Sequence, residues 1–405
     1  MSLGVWENLK PGDTLGCPQA LHVALFWRGG TVPYLQADQT DRMLLTVKWD
    51  RRLCDVSEAE CVLDLAQAST ECCEPLSKLM PGGHELHVYR DADLVWCGPV
   101  THTSTEGSQI TIQAQDMGLW LGRCWNTKVI QGLPDSPRDI MDVALGTIAD
   151  NLLDSDYSCE PDWPNMLDSM VGYYTGVRWE STTRDSWYVP LLEILNDLSD
   201  QGFDWTVYRR SLLVKPGAGL TPDPTGNLWW TNAQALLTAE DLGGAVRVVR
   251  SIDQIATRAW ATSQTTENSG MAVTAGVRCV DPSGEDNRWT RLFGRLDVGT
   301  KVSIPQDQQG QEQQLLTRYA QELLRGRTVW PVSFEVGDRA QLAPTAPVDI
   351  KRLIPGVRVD VLFTDRCVEV RQGLRLVYVG GEWSTGGEKV TVSLAPLMAL
   401  PTDNP

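Results

Sequence analysis

Two stretches far apart in this chain carry the same order of features, and that recurrence constrains its fold more than any other property. The first is ELHVYRDADLVWCGPVTHTSTEGSQITIQ, residues 85–113. Leu86 and Val88 alternate with polar neighbours and run into the corner Arg90-Asp91-Ala92-Asp93. Leu94, Val95 and Trp96 follow, then Gly98-Pro99. A polar run ends at Gly107, and Ile110, Ile112 and Ala114 alternate again. The second stretch is residues 356–396, GVRVDVLFTDRCVEVRQGLRLVYVGGEWSTGGEKVTVSLAP. Here Val357, Val359 and Val361 lead, Leu374 to Val379 come next, Gly380 follows, and Gly386-Gly387 precede a final alternating run. Alternation at period two, broken by Asp and Gly corners, predicts antiparallel meanders. Repeats redefine a fold when they are real, but two copies are too few for a solenoid. Duplication and chance likeness of two meanders both remain open on these features.

Between and around the ribbons the pattern changes. MLLTVKW (43–49) and AECVLDL (59–65) read as strands, the second with Cys61, Leu63 and Leu65 on one face. TECCEPLSKLM (70–80) reads as a short helix with Thr70 as N-cap and Pro81-Gly82-Gly83 as its stop. In the middle, Ser136 and Pro137 open a helix whose Ile140, Val143, Ala144, Ile148 and Leu152 share a face. A second helix places Leu191, Ile194, Leu195 and Leu198 inward, with Gly202 as C-cap, and a hairpin turns at Tyr208-Arg209-Arg210-Ser211. Strands return near residue 245, and 310–326 is an amphipathic helix with Leu315, Leu316, Tyr319, Ala320 and Leu323 on one side. The polar stretches 29–40, 216–227 and 281–287 read as loops, either plain connections or partner contacts. The fold class is therefore α+β, mainly β, with β-domains at the chain ends flanking an α+β insert. The expected domains are 1–127, 128–244 and 245–405, the last including helix 310–325. Strands within 228–262 are candidates to complete the first.

Composition narrows the function. At 405 residues and 42% hydrophobic, the chain can build several packed domains. It has no run of eighteen apolar residues, so no membrane-spanning helix is expected. Its start, MSLGVWENLKPGD, lacks a basic segment followed by an apolar one, which predicts no signal peptide and synthesis in the cytoplasm. A net charge of −17 without basic clusters opposes tight binding to phosphate backbones. It suits solubility, or a wall along which a polyanion passes without adhering. The ten cysteines form no C-x-x-C pairs and read as reduced, mostly buried residues. The 16 tryptophans are spread along the chain, which favours core and interface anchoring over a sugar-binding surface.

Catalytic and metal chemistry find little support. His22, His84, His87 and His102 are the only histidines, and with Cys72 and Cys73 they are the natural zinc candidates. Adjacent cysteines rarely share an ion, and His84 and His87 fall on opposite faces of a strand. Core cysteines and surface histidines are the expectation. No cysteine sits in a hydrolase motif, no carboxylate pair stands out among 52 acidic residues, and no phosphate-binding G-x-x-x-x-G-K-[ST] loop occurs. The expected catalytic, cofactor-binding and metal residues are none, and no cofactor is expected.

HELHVYRDADLVWCGPV and LIPGVRVDVLF…LRLVYVGGEWSTGGEKVTVSLAPL, together with LLEILNDLSDQGFDWTVY between them, resemble the minor tail proteins of actinobacterial long-tailed phages, of the baseplate-hub or tail-associated kind. The resemblance covers about 21–121 and 353–397. It implies two tail-tube-like β-barrels per chain and a homotrimer whose six barrels form a pseudo-six-fold ring at the virion tail tip. Implied partners are the distal tail protein and tail tube, the tape-measure protein and the tip or fibre proteins, with DNA only as transiting cargo and no stable membrane insertion. Larger relatives carry a long C-terminal extension, whereas this sequence ends at Pro405 soon after the second ribbon. The rival readings are a carbohydrate-binding tail protein, a cell-wall hydrolase, and the hub of a contractile injection system.

Overall fold

The computed structural model describes residues 15, 20–40, 42–68, 70–127, 130–131, 138–152, 169–172, 178–179, 183–184, 188–199, 203–216, 233–244, 246–250, 256–263, 274–278, 291, 294–302, 312–325, 332–365 and 368–396. The first seven strands are β1 (Leu21–Trp27), β2 (Pro33–Asp38), β3 (Leu44–Arg52), β4 (Glu58–Asp64), β5 (His84–Arg90), β6 (Asp93–Glu106) and β7 (Gln109–Gln115). The helices are α1 (Thr70–Ser77), α2 (Gly118–Arg123), α3 (Ile140–Leu152), α4 (Leu191–Ser199) and α5 (Glu312–Arg325). Stretch 29–40, expected as a loop, contains β2, which pairs with β1 from His22↔Asp38 to Phe26↔Pro33. Stretches 217–227 and 281–287, Ser136, Pro137 and Gly202 lie outside the described residues.

Both ribbons form as meanders, with one shared difference from expectation. The glycines read as strand ends lie inside long strands. β6 runs 14 residues straight through Gly98-Pro99. It pairs with β5 up to Pro99↔Glu85 and with β7 from Val100↔Ala114 onward. A strand that changes partner must bend, and a bend brings backbones close. A Cβ on Gly98 would sit 2.0 Å from the Gln115 carbonyl oxygen. The strand Val368–Ser384 likewise passes through Gly380-Gly381. It pairs with Arg358–Asp365 in its first half and with Gly387–Pro396 along most of its length.

The two halves meet in one sheet. Strand Val368–Ser384 pairs antiparallel with β3 from Tyr378↔Arg52 to Ser384↔Thr46. The resulting twelve-stranded sheet takes in β1–β7, Ala235–Thr238, Ala340–Gln341, Arg358–Asp365, Val368–Ser384 and Gly387–Pro396. One apolar cluster runs beneath it, from Leu25, Val47, Cys61 and Ile112 to Val359, Leu376 and Val392. The alternation of each strand explains this: one face is apolar in every one of them, so burying that face favours pairing both ribbons over a common core.

Two smaller cores stand beside it. In the middle of the chain, Ile140, Val143, Ala144 and Ile148 of α3 and Leu191, Ile194, Leu195 and Leu198 of α4 are buried as expected, against Phe203, Trp205 and Val207 of the following hairpin. The third core belongs to α5. Leu316, Ala320 and Leu324 pack on Ala259, Ala261 and Ala275 of a three-stranded sheet, Arg258–Ser263, Thr274–Arg278 and Asp297–Val302. In sequence both ribbons follow a helix at a distance, and the packing separates the two cases. Leu76 of α1 joins the main core, whereas α5 covers a sheet of its own.

Candidate functional site

The outer face of the large sheet, opposite the core, is polar across both halves. On β3 the residues Val47, Trp49 and Arg51 point to the core, so Lys48, Asp50 and Arg52 line the other face. Glu58 and Glu60 follow the same rule on β4, and Gln113 and Gln115 do so on β7. From the C-terminal half come Tyr378, Gly380, Glu382, Lys389 and Thr391. Together they line a broad depression of about 680 Å³ centred on the seam between the halves.

Register sets the electrostatics of this face. Lys389, Glu382, Lys48, Glu60 and Gln113 are successive cross-strand partners in one row. Charge alternates along the row, and opposite charges facing each other across strands stabilise a sheet. Lys48 reaches Glu382 at 3.3 Å, and Gln113 donates to Glu60 at 3.1 Å. Beside the row, Arg52 donates to Asp50 at 2.8 Å, Glu58 at 3.1 Å and Asp55 at 3.4 Å. Burial pulls the Arg52 pKa down, but its hydrogen bond to Asp50 and the three carboxylates outweigh that and raise it. The face carries four acids (Asp50, Glu58, Glu60, Glu382) and four bases (Lys48, Arg52, Arg339, Lys389). The excess acid of the chain is therefore not concentrated here. Lys48 and Arg52 are ion-paired on this face, and a cation already paired offers little to an added phosphate.

Buried polar contacts hold the seam. Arg51 is 2% exposed. It donates to the carbonyls of Val95 (3.0 Å), Ile350 (3.0 Å) and Leu353 (3.1 Å), and its guanidinium lies over Trp49 and Tyr208. Burial lowers its pKa to about 10, which leaves it charged at neutral pH. Arg90 pairs with Glu388 at 3.0 Å, with both side chains nearly buried. The insert is tied in by Arg375 with Asp204 at 2.9 Å, by Arg210 with Glu85 at 2.7 Å, and by Lys215 donating to the Pro355 carbonyl.

Asp116 joins the large sheet to α2. It is fully buried and accepts hydrogen bonds from the Ser57 amide (2.8 Å), the Ser57 hydroxyl and the Gly118 amide (2.7 Å). Burial outweighs these bonds and pushes its pKa up to about 7. A carboxyl whose folded pKa lies above its unfolded value, about 4, binds more protons folded than unfolded. Its contribution is therefore complete at acid pH and is lost as pH rises from about 4 to about 7. Asp116→Asn should flatten this part of the stability curve. Urea midpoints at pH 5 and pH 8 would converge in the variant, and an unchanged gap would exclude Asp116 as the source.

The zinc candidates do not assemble. Among the described residues no group of three or more His, Cys, Asp or Glu could hold a metal ion. The burial of the histidines differs from expectation. Only His102 is an exposed surface residue, while His84 and His87 are buried. His84 packs against Trp27 and Tyr34, and His87 against Phe26. Cys61 and Cys97 are buried as expected, Cys54, Cys72 and Cys124 are half-buried, and Cys73 is exposed. The strand expected over 43–49 stops short of Asp50 and Arg52, and nothing in that segment marks which strand would lie opposite.

No helix of the described residues is long and apolar enough to cross a membrane. No family model matches the sequence, and neither does any curated protein. Solved structures do. The tail protein from Neisseria meningitidis MC58 is similar with a TM-score of 0.55 and 12% identity, over 92% of this chain and 96% of that one. The 43 kDa tail protein of prophage MuSo2 from Shewanella oneidensis gives 0.52 and 15%, over 93% and 98%. Prophage tail protein gp18 from Listeria monocytogenes EGD-e gives 0.51 and 10%, over 94% and 96%. At such identities the likeness is one of fold, and over nearly its whole length this chain has the fold of those tail proteins.

Proposed function

We propose that this chain is a structural, non-enzymatic virion protein: the homotrimeric baseplate hub at the tail tip of an actinobacterial long-tailed phage. The observation that supports a tail protein is the end-to-end fold likeness to three tail proteins, each covered almost completely, while the hub of an actinobacterial phage rests on the sequence resemblance. In this reading each chain contributes two tube-like β-domains, one from each end, so three chains present six similar units to a six-fold tail tube and distal tail ring. Closed rotational symmetry is how identical chains build such a ring. Below it sit the tip or fibre proteins, and the tape-measure protein and then DNA pass through the lumen. The charge-balanced face, with Lys48 and Arg52 held in ion pairs, is suited to a wall that DNA crosses without sticking.

The native mass of the purified protein, with images of the same sample, tests this. Three times the 44.8 kDa chain mass and three-fold rings are expected. A monomer at high concentration, also in the presence of tail tubes, would overturn the hub. Clearing of host envelope in a zymogram by the pure protein would overturn the non-enzymatic part.

A further inference from the structure

The small sheet under α5 has a second face, away from the helix. Strand Arg258–Ser263 lies in its centre, antiparallel to Thr274–Arg278 and parallel to Asp297–Val302. Ala259, Ala261 and Ala275 face the helix, so Trp260 points to the opposite side, where it is 37% exposed. Its cross-strand partners on both sides are glycines, Gly276 and Gly299.

The glycines decide how the indole lies. A tryptophan beside two ordinary residues must stand on edge between their side chains. Here the six-membered ring occupies the place of a Gly276 side chain: a Cβ there would come within 2.4–2.9 Å of three ring atoms. The indole is thus laid across the neighbouring strand with a broad face outward. On the other side, among the described residues, a Cβ on Gly299 would meet only the Trp260 backbone oxygen at 3.6 Å and its Cβ at 3.9 Å. Around this platform stand both kinds of hydrogen-bonding group. Lys301 is exposed, the Thr262 and Thr274 hydroxyls are 3.4 Å apart, and Asp297 pairs with Arg295 at 2.7 Å.

We propose that this face is a saccharide-binding site in which Trp260 stacks one pyranose ring and the Gly299 trough takes the adjoining residue. A flat aromatic face matches the C–H face of a pyranose, and the ring hydroxyls need donors and acceptors together at the rim. Lysine, threonine and a carboxylate supply both. A nucleic-acid strand needs successive stacking platforms along a cationic track. Among the described residues of this face there is one such platform, and beside Arg258 and Lys301 stands the Asp297 carboxylate, in a chain of net charge −17. The gluco configuration, with its hydroxyls equatorial, leaves the flattest C–H face and is the class expected to bind.

The test titrates the full chain with chitotriose, cellotriose and galactotriose, and with a dT12 oligonucleotide, by calorimetry. Chitotriose or cellotriose should bind, and Trp260→Ala should weaken binding at least tenfold. Gly299→Val fills the trough without touching the indole and suits a strand. It should also weaken binding at least tenfold while leaving the melting temperature unchanged, which a purely structural role for Trp260 would not produce. Absence of binding by all three saccharides, wild-type affinity in both variants, or tighter Trp260-dependent binding of dT12 would each overturn the assignment. So would loss of the trimer in Trp260→Ala without saccharide binding by the wild type, since the platform would then be a subunit contact.

Discussion

Arg51→Ala is expected to destabilise the protein by about 4 kcal/mol, the largest effect of any single side-chain truncation in the seam. The carbonyls of Val95 and Leu353 take their side-chain bonds from this one guanidinium, and the Ile350 carbonyl shares it with a longer bond from the Leu353 amide at 3.3 Å. All three residues are buried, so removing the donor leaves the Val95 and Leu353 carbonyls with their desolvation cost and the Ile350 carbonyl with only its longer bond. The contacts also join three parts of the chain: Val95 in the first ribbon, Ile350 and Leu353 before the second, and Tyr208 in the insert. Arg51→Met separates packing from hydrogen bonding. It keeps most of the buried stem, so a loss of about 2–3 kcal/mol should persist from the unpaired carbonyls alone. Arg51→Lys should fall between, because an ammonium cannot present the planar fork that reaches both sides. Chemical denaturation of the four proteins would measure this. Wild-type stability in Arg51→Met would mean that the carbonyls find other partners and that Arg51 is not what closes the seam.

Gly98→Ala should cost about 3 kcal/mol or more through a different cause. The added methyl meets backbone, not a movable side chain: the Gln115 carbonyl oxygen at 2.0 Å and the Asp116 Cα at 2.8 Å. Relief requires β6 and β7 to part where β6 changes partner, and that displaces Asp116, whose bonds anchor Ser57 and α2. Gly107→Ala is the control. Gly107 has φ +59° but open space around it, so only the left-handed backbone penalty applies, about 1–2 kcal/mol. Thermal melts of the two variants should differ clearly in this order. Equal losses would show that the bend at Gly98 yields and that the strand is not held there.

Most local structure was legible in the residues. The three strands of each ribbon, the hairpin around Arg209 and the helices α3, α4 and α5 follow from periodicity and turn residues, because each depends on neighbours a few positions away. Local rules misled where a residue has two uses. Gly98 and Gly380 read as strand ends, since glycine commonly breaks a strand, and instead permit close approach within one. His84 read as a surface residue because histidine is polar, and a cage of Trp27 and Tyr34 buries it. By itself, then, the sequence determined which segments are strands or helices and which face of each is apolar. The pairing of β3 with Val368–Ser384 was decided only in three dimensions. Many strands here share the same period-two pattern, so alternation cannot choose between partners more than 300 residues apart. The choice rests on the sum of a common core, the charge row from Lys389 to Gln113, and the reach of Arg51. The platform at Trp260 has the same origin: two glycines distant in sequence become its neighbours only through register.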